Sequence, residues 1–149
     1  MLGRLARWLR VLGADAAYDA TSPDASLVRR AREESRVLPT RDRTLVKELR
    51  PPRVVLVTSD EPLAQLRQVV AEARLAPPRE LFTRCLVCNE PLRDVDPFDA
   101  AELVPERARG LPGPVRRCLR CERVYWPGSH ARRMRAALER ALPGWLDSA

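Results

Sequence analysis

Four cysteines, and only four, stand in this 149-residue chain, as the pairs Cys85-Leu-Val-Cys88 and Cys118-Leu-Arg-Cys121. A two-residue spacer lets both thiolates of a pair approach one ion from a tight turn, and two such turns complete a tetrahedral site. The arrangement predicts a structural zinc, because four protein ligands leave no open position for chemistry. Disulfides would need an oxidising compartment, for which no targeting segment provides. A redox pair usually stands alone near the start of a strand–helix–strand unit. Residues 89–117 form a longer connection than the smallest zinc ribbons use, so the helix expected at Pro97 to Arg109 is an insertion in one lobe. Metal binding of this kind contributes on the order of 10 kcal/mol to folding a small lobe.

Upstream of Phe82 the pattern changes to alternating strands and helices. In MLGRLARWLRVLGAD, Leu2, Leu5, Leu9 and Leu12 fall within an arc of roughly 80° of a helix. Arg4, Arg7 and Arg10 lie opposite, and Gly13 supplies a stop. Arginine at every third position denies this segment the unbroken apolar stretch of a secretory signal. It reads as a core-facing helix of a globular domain whose preceding element is absent. A strand is expected at Asp15 to Asp19, then Ser22 as a cap with Pro23 as first helical residue, and a helix through Leu27, Val28 and Ala31. Val37 to Thr40 reads as a strand in which Pro39 favours an edge or bulged position. Asp42 caps a short helix carrying Leu45, Val46 and Leu49, which Pro51-Pro52 ends. Arg53 to Thr58, with its VVLV core, suits a strand buried on both faces of a parallel sheet. Leu63, Leu66, Val70 and Ala73 mark the inner face of one more helix.

This alternation predicts an α/β layered domain over residues 1–80. Residues 81–149 form a small cysteine lobe with a strand at Val124 to Trp126, a turn at Pro127-Gly128 and a cap at Ser129. A last basic helix follows, carrying Met134, Leu138 and Leu142 inward.

Asp42 and Asp60 each fall just after an expected strand, which in a parallel sheet is the carboxyl edge where active sites gather. Carboxylates converging there could hold magnesium or manganese, which activate water and stabilise charge in phosphodiester cleavage. Ordinary helix capping accounts for the same residues equally well, and spacing leaves both readings open. His130, the one histidine, opens the last helix, where it suits a phosphate contact, a spare zinc ligand or a structural hydrogen bond. The formal charge of +7 favours a polyanionic partner without choosing RNA over DNA. Lys47 is the one lysine, so the cations are arginines, suited to forked contacts with phosphates. No stretch approaches the roughly 20 apolar residues of a membrane span, and the expected location is the cytoplasm.

Taken in order, MLGRLARWLRVLGADAAYD, RVLPTRDRTL, TSDEPLAQL, FTRCLVCNEPL and RRCLRCERVYWPGSHARRM resemble the successive motifs of the mutator-seven carboxy-terminal RNase domain family. The resemblance implies a PIN-like parallel sheet layered with helices, followed by a zinc-ribbon lobe, and a metal-dependent ribonuclease. It carries Asp42 and Asp60 over as catalytic metal ligands, with Asp19 of the YD motif as a third, and Cys85, Cys88, Cys118 and Cys121 as the ribbon cysteines. Arg7 and Arg41 match basic positions of the family. With His130, Arg132 and Arg133 of the last helix they are candidate RNA contacts. Two residues depart from the pattern: Pro39 replaces a plain apolar strand residue, and Glu122 stands where glycine is common. Members typically place a strand ending in aspartate before the segment matching MLGRLARWLR. This chain starts after it, so Met1 is expected to be an internal methionine and the missing aspartate bears on catalysis. The alternative is a zinc-ribbon module that binds RNA without cutting it.

Overall fold

The computed structural model describes residues 2–149, and the expectation about Met1 falls outside them. The chain forms two compact units, Met1–Ala6 with Ala17–Ala76, and Arg7–Ala16 with Pro77–Ala149. Among the described residues there are six α-helices, a two-stranded parallel sheet and a three-stranded antiparallel sheet. Helix α1 (Gly3–Val11) begins in the first unit and ends in the second.

The first unit is the layered α/β part. Strands β1 (Leu38–Thr40) and β2 (Val54–Leu56) pair in parallel, Leu38 opposite Val54 and Thr40 opposite Leu56. Helices α3 (Arg43–Leu49) and α4 (Pro62–Glu72) pack against β2, and α2 (Asp24–Glu33) packs against α3. Of the apolar faces read from the sequence, Val28 and Ala31 of α2, Leu45 of α3 and Leu66 and Val70 of α4 are buried, with Val69, which the pattern does not single out, beside them. Leu27, Val46, Leu49, Leu63 and Ala73 are half-buried. The second strand buries Val55, with Val57 buried just after it, and leaves Val54 and Leu56 half-buried, so it is not fully enclosed on both faces. Pro39 is accommodated because Leu38 donates to the Arg53 carbonyl (2.7 Å) and Thr40 accepts from Val57 (2.7 Å), leaving the proline between them at a position that needs no donor.

Three local expectations shift. Asp15 to Asp19 is not a strand: this alanine-rich stretch joins no ladder, and Asp19 closes a tight turn through its carboxylate instead. Helix α2 starts at Asp24 with Pro23 as its cap residue, and the Pro23 carbonyl takes the amides of Ser26 and Leu27, so Ser22 has no capping role. The helix expected from Pro97 to Arg109 stops at Leu103. Pro105 disfavours helical geometry at the residue before it, and Val104 is extended (φ −108°, ψ 155°) ahead of a short 3-10 turn at Glu106–Ala108.

The second unit is built on strands of two residues each. β3 (Arg93–Asp94), β4 (Arg116–Arg117) and β5 (Val124–Tyr125) run antiparallel in that order, with α5 (Pro97–Leu103) inserted before β4. The last helix, α6 (Ser129–Ala141), buries Leu138, with Leu142 buried just beyond it and Met134 half-buried. Ser129 is its first helical residue; Gly128 is the cap. Arg116, nearly buried, is paired to Asp94 (3.0 Å) and Glu80 (2.9 Å) and donates to the carbonyls of Leu81 and Phe82. Gly13 turns the chain after α1 at φ +83°, and a side chain there would meet Thr83 Oγ1 at 2.7 Å.

Candidate metal centre

Each Cys-x-x-Cys pair lies in the same backbone turn. In the first, Cys85 donates to the Glu90 carbonyl (2.8 Å) and accepts from Asn89 (2.9 Å); in the second, Cys118 donates to Arg123 (2.9 Å) and accepts from Glu122 (2.8 Å). The residue after each second cysteine is left-handed, Asn89 at φ 66° and Glu122 at φ 64°. This conformation explains why glycine suits the position. Glu122 adopts it nonetheless, with its carboxylate paired to Arg117 at 3.2 Å, so the turn keeps its form.

The two turns bring the four sulfurs within 4.8 Å of one another. Zinc–sulfur bonds of about 2.3 Å in a tetrahedron put neighbouring sulfurs about 3.8 Å apart, and Cys85 Sγ lies 3.7 Å from Cys121 Sγ. Four soft donors at this spacing fit zinc. Cys85 and Cys118 are buried, Cys88 and Cys121 half-buried. Among the described residues this is the one group of three or more such ligands; His130 does not join it.

Electrostatics within the cluster are uneven. Burial pushes the Cys85 thiol up, but the Tyr125 hydroxyl, the amides of Cys88 and Val87 and the Cys121 thiol outweigh it and bring it down to about 7. Burial, proton sharing with Cys121 and the repulsion of the other sulfurs push Cys88 up to about 12; burial raises Cys118 as well. Four thiols this close cannot all ionise without a cation, and a dication supplies the charge that makes them thiolates.

Tyr125 is a supporting residue that the sequence pattern does not single out. Its hydroxyl oxygen lies 3.3 Å from Cys85 Sγ and accepts the Leu86 amide at 3.0 Å. Tyr125→Phe removes the acceptor and leaves that amide unpaired, which is expected to cost about 1–3 kcal/mol. Thermal unfolding of the metal-loaded protein reads this as a lower Tm; an unchanged Tm would mean water replaces the hydroxyl.

The carboxylates lie in the first unit and are exposed. Asp42 follows β1 and caps α3, accepting from Leu45 at 3.1 Å. Asp60 follows β2 but is not the cap of α4. Glu61 is, accepting from Leu63 (3.1 Å) and Ala64 (2.7 Å), and Asp60 has no side-chain partner among the described residues. Gln65 and Gln68 of α4 fix the loop beneath Asp60 by donating to the carbonyls of Ser59 (2.9 Å) and Leu56 (2.7 Å). Asp19 accepts from the amide (2.9 Å) and hydroxyl (2.7 Å) of Thr21, which hold its carboxyl below the usual range. The structure therefore sets Asp42 and Asp60 beyond the same ends of adjacent parallel strands, without gathering them and Asp19 into a group as close as the cysteines. Arg7, Arg41, His130, Arg132 and Arg133 are all exposed.

A second residue missed by pattern is Arg10, read as part of the polar face of α1. It is buried, 8% exposed, and donates into the first cysteine turn. Its one sequence signal is its place a turn after Ala6, at the margin of the apolar stripe, where a small side chain leaves room.

A family model described as the Mut7-C RNAse domain matches residues 1–138. Comparison with curated proteins and with solved structures returns no match. No helix among the described residues is long and apolar enough to cross a membrane.

Proposed function

This chain belongs to the Mut7-C RNAse domain family, and from that premise we propose that it is a metal-dependent ribonuclease acting on RNA phosphodiester bonds. The observation that carries the proposal is the placement of Asp42 and Asp60 beyond the same ends of two adjacent parallel strands, one on a helix cap and the other without a partner. Oxygen donors of this kind suit magnesium or manganese, which would activate water and balance charge at the phosphodiester. Asp19 is the third candidate ligand. The nuclease role falls to the unit holding Ala17–Ala76, and the unit holding Pro77–Ala149 supplies the zinc ribbon. Arg7, Arg41, His130, Arg132 and Arg133 contact the RNA backbone in this reading. A tetrathiolate site needs reduced cysteines, for which reason we place the protein in the cytoplasm.

The experiment is cleavage of an end-labelled single-stranded RNA with manganese and with EDTA. Cleavage in the manganese arm alone is the expected result. One observation favours the second reading, an RNA-binding module without catalysis: the three aspartates do not form a compact ligand group. RNA bound but intact in both arms would establish that reading in place of the first. Absence of salt-dependent RNA affinity would remove both.

A further inference from the structure

We propose that Arg10 is the counter-charge of the metal centre, a buried guanidinium that holds the first cysteine turn by its carbonyls and offsets the negative charge of a metal–tetrathiolate; the inference rests on the cysteines binding a metal. Its Nη1 donates to the carbonyls of Leu86 (2.8 Å) and Val87 (3.4 Å), the two residues between Cys85 and Cys88, and its Nε donates to Ala16 (2.9 Å). All three acceptors are neutral. Among the described residues no carboxylate forms an ion pair with Arg10, although it is one of the most buried charged side chains in the chain. Buried cations without a partner are rare because the lost hydration is not returned.

The charges that return it are the thiolates. The guanidinium meets the turn at the two residues that separate Cys85 from Cys88, with Asp15 a further, weaker negative influence on it. Four thiolates around one dication leave a net negative charge, and a guanidinium bonded to the backbone of the same turn offsets part of it. Arginine suits this role better than lysine, because its planar fork addresses several carbonyls while keeping its charge.

The same turn is clasped from the segment after α1. Arg84 bridges the carbonyls of Gly13 (3.2 Å) and Asn89 (2.8 Å). Asn89 accepts from the Ala16 amide (3.0 Å) and donates to Asp15 (2.6 Å). Arg10 is thus a positioning residue within one hydrogen-bonded assembly that runs from residues 10–16 to the first two metal ligands.

The test compares wild type, Arg10→Met and Arg10→Lys in the full chain. Each is titrated with cobalt(II), whose absorption reports tetrathiolate ligation, and zinc affinity is then measured by competition with a chelator. Arg10→Met keeps the volume without the charge and is expected to bind zinc 10- to 100-fold more weakly, with the cobalt bands retained. Arg10→Lys restores the charge without the fork and is expected to recover part of that loss. Equal affinity of wild type and Arg10→Met overturns the inference, as does a lysine variant no better than methionine. If Arg10→Met does not fold, Arg10→Lys decides: zinc binding within about tenfold of wild type supports the counter-charge, and failure of the lysine variant too overturns it. A wild-type chain without tetrathiolate cobalt bands removes the metal reading itself, and the inference with it.

Discussion

Stripping the metal with a chelator, or replacing Cys85 and Cys118 together by serine, is expected to unfold the unit formed by Arg7–Ala16 and Pro77–Ala149. Its three strands contribute two residues each. Strands in globular proteins most often run to about five or six residues, so ladders this short contribute little to holding the lobe. Two fully buried residues of that unit, Cys85 and Cys118, are thiols packed against other thiols. Without a cation they give up the bond network that orders both turns. A structural zinc supplies on the order of 10 kcal/mol at such a site, as much as the whole stability of an ordinary domain. Trp8, Trp126 and Trp145, all the tryptophans of the chain, belong to this unit, so intrinsic fluorescence reports on it selectively. A red-shifted emission with loss of near-ultraviolet circular dichroism is expected on chelation. Acid should act in the same direction, because the sulfurs must take up protons to release the ion, and the Cys88 thiol is already pushed up to about 12 by burial and the neighbouring sulfurs. Unchanged fluorescence after complete metal removal would show that the core of Leu9, Val11, Leu86 and Leu138 holds the lobe without help.

What was legible in the amino-acid sequence is what short-range physics decides. The VVLV strand, the Asp42 cap and the buried centres of α2, α3 and α4 at Val28, Leu45 and Leu66 follow from periodicity and capping chemistry within a few residues. The metal site was legible for a different reason: a Cys-x-x-Cys pair states its partner by ligand count, so two distant pairs imply one ion. The break at Val104 was readable in principle, since Pro105 announces it. Two features are set by more than residue type. Arg10 carries the same spacing and charge as Arg4 and Arg7, and beyond its place a turn after Ala6 it is set apart by its carbonyl acceptors at Ala16, Leu86 and Val87, two of them distant in the chain. Asp60 and Glu61 are adjacent carboxylates before the same helix, and helix phase rather than residue type decides which one caps it. That outcome matters for function, because it frees Asp60 from a structural task.

Asp42→Asn and Asp60→Asn are each expected to lower manganese-dependent RNA cleavage by about 100-fold or more while leaving the fold and zinc content unchanged. The size follows from the contribution of a catalytic metal, several kcal/mol of charge stabilisation, at a tenfold change in rate for about each 1.4 kcal/mol. The two variants separate chemistry from stability in different ways. Asparagine caps a helix about as well as aspartate, so Asp42→Asn preserves the bond to the Leu45 amide and takes away only the charge. Asp42→Ala, by contrast, should also cost about 1 kcal/mol by losing the cap. Asp60 is exposed and has no side-chain partner, so neutralising it should move stability by less than about 0.5 kcal/mol. The Tm therefore stays in place as cleavage falls, and RNA affinity with EDTA present stays near that of wild type. Wild-type rates in both variants would return Asp42 to a helix cap and Asp60 to an exposed loop residue, and would move any catalysis away from the carboxyl edge of β1 and β2. Loss in one variant alone would assign the metal to that residue and require its remaining ligands elsewhere in the unit, Asp19 being the first to replace.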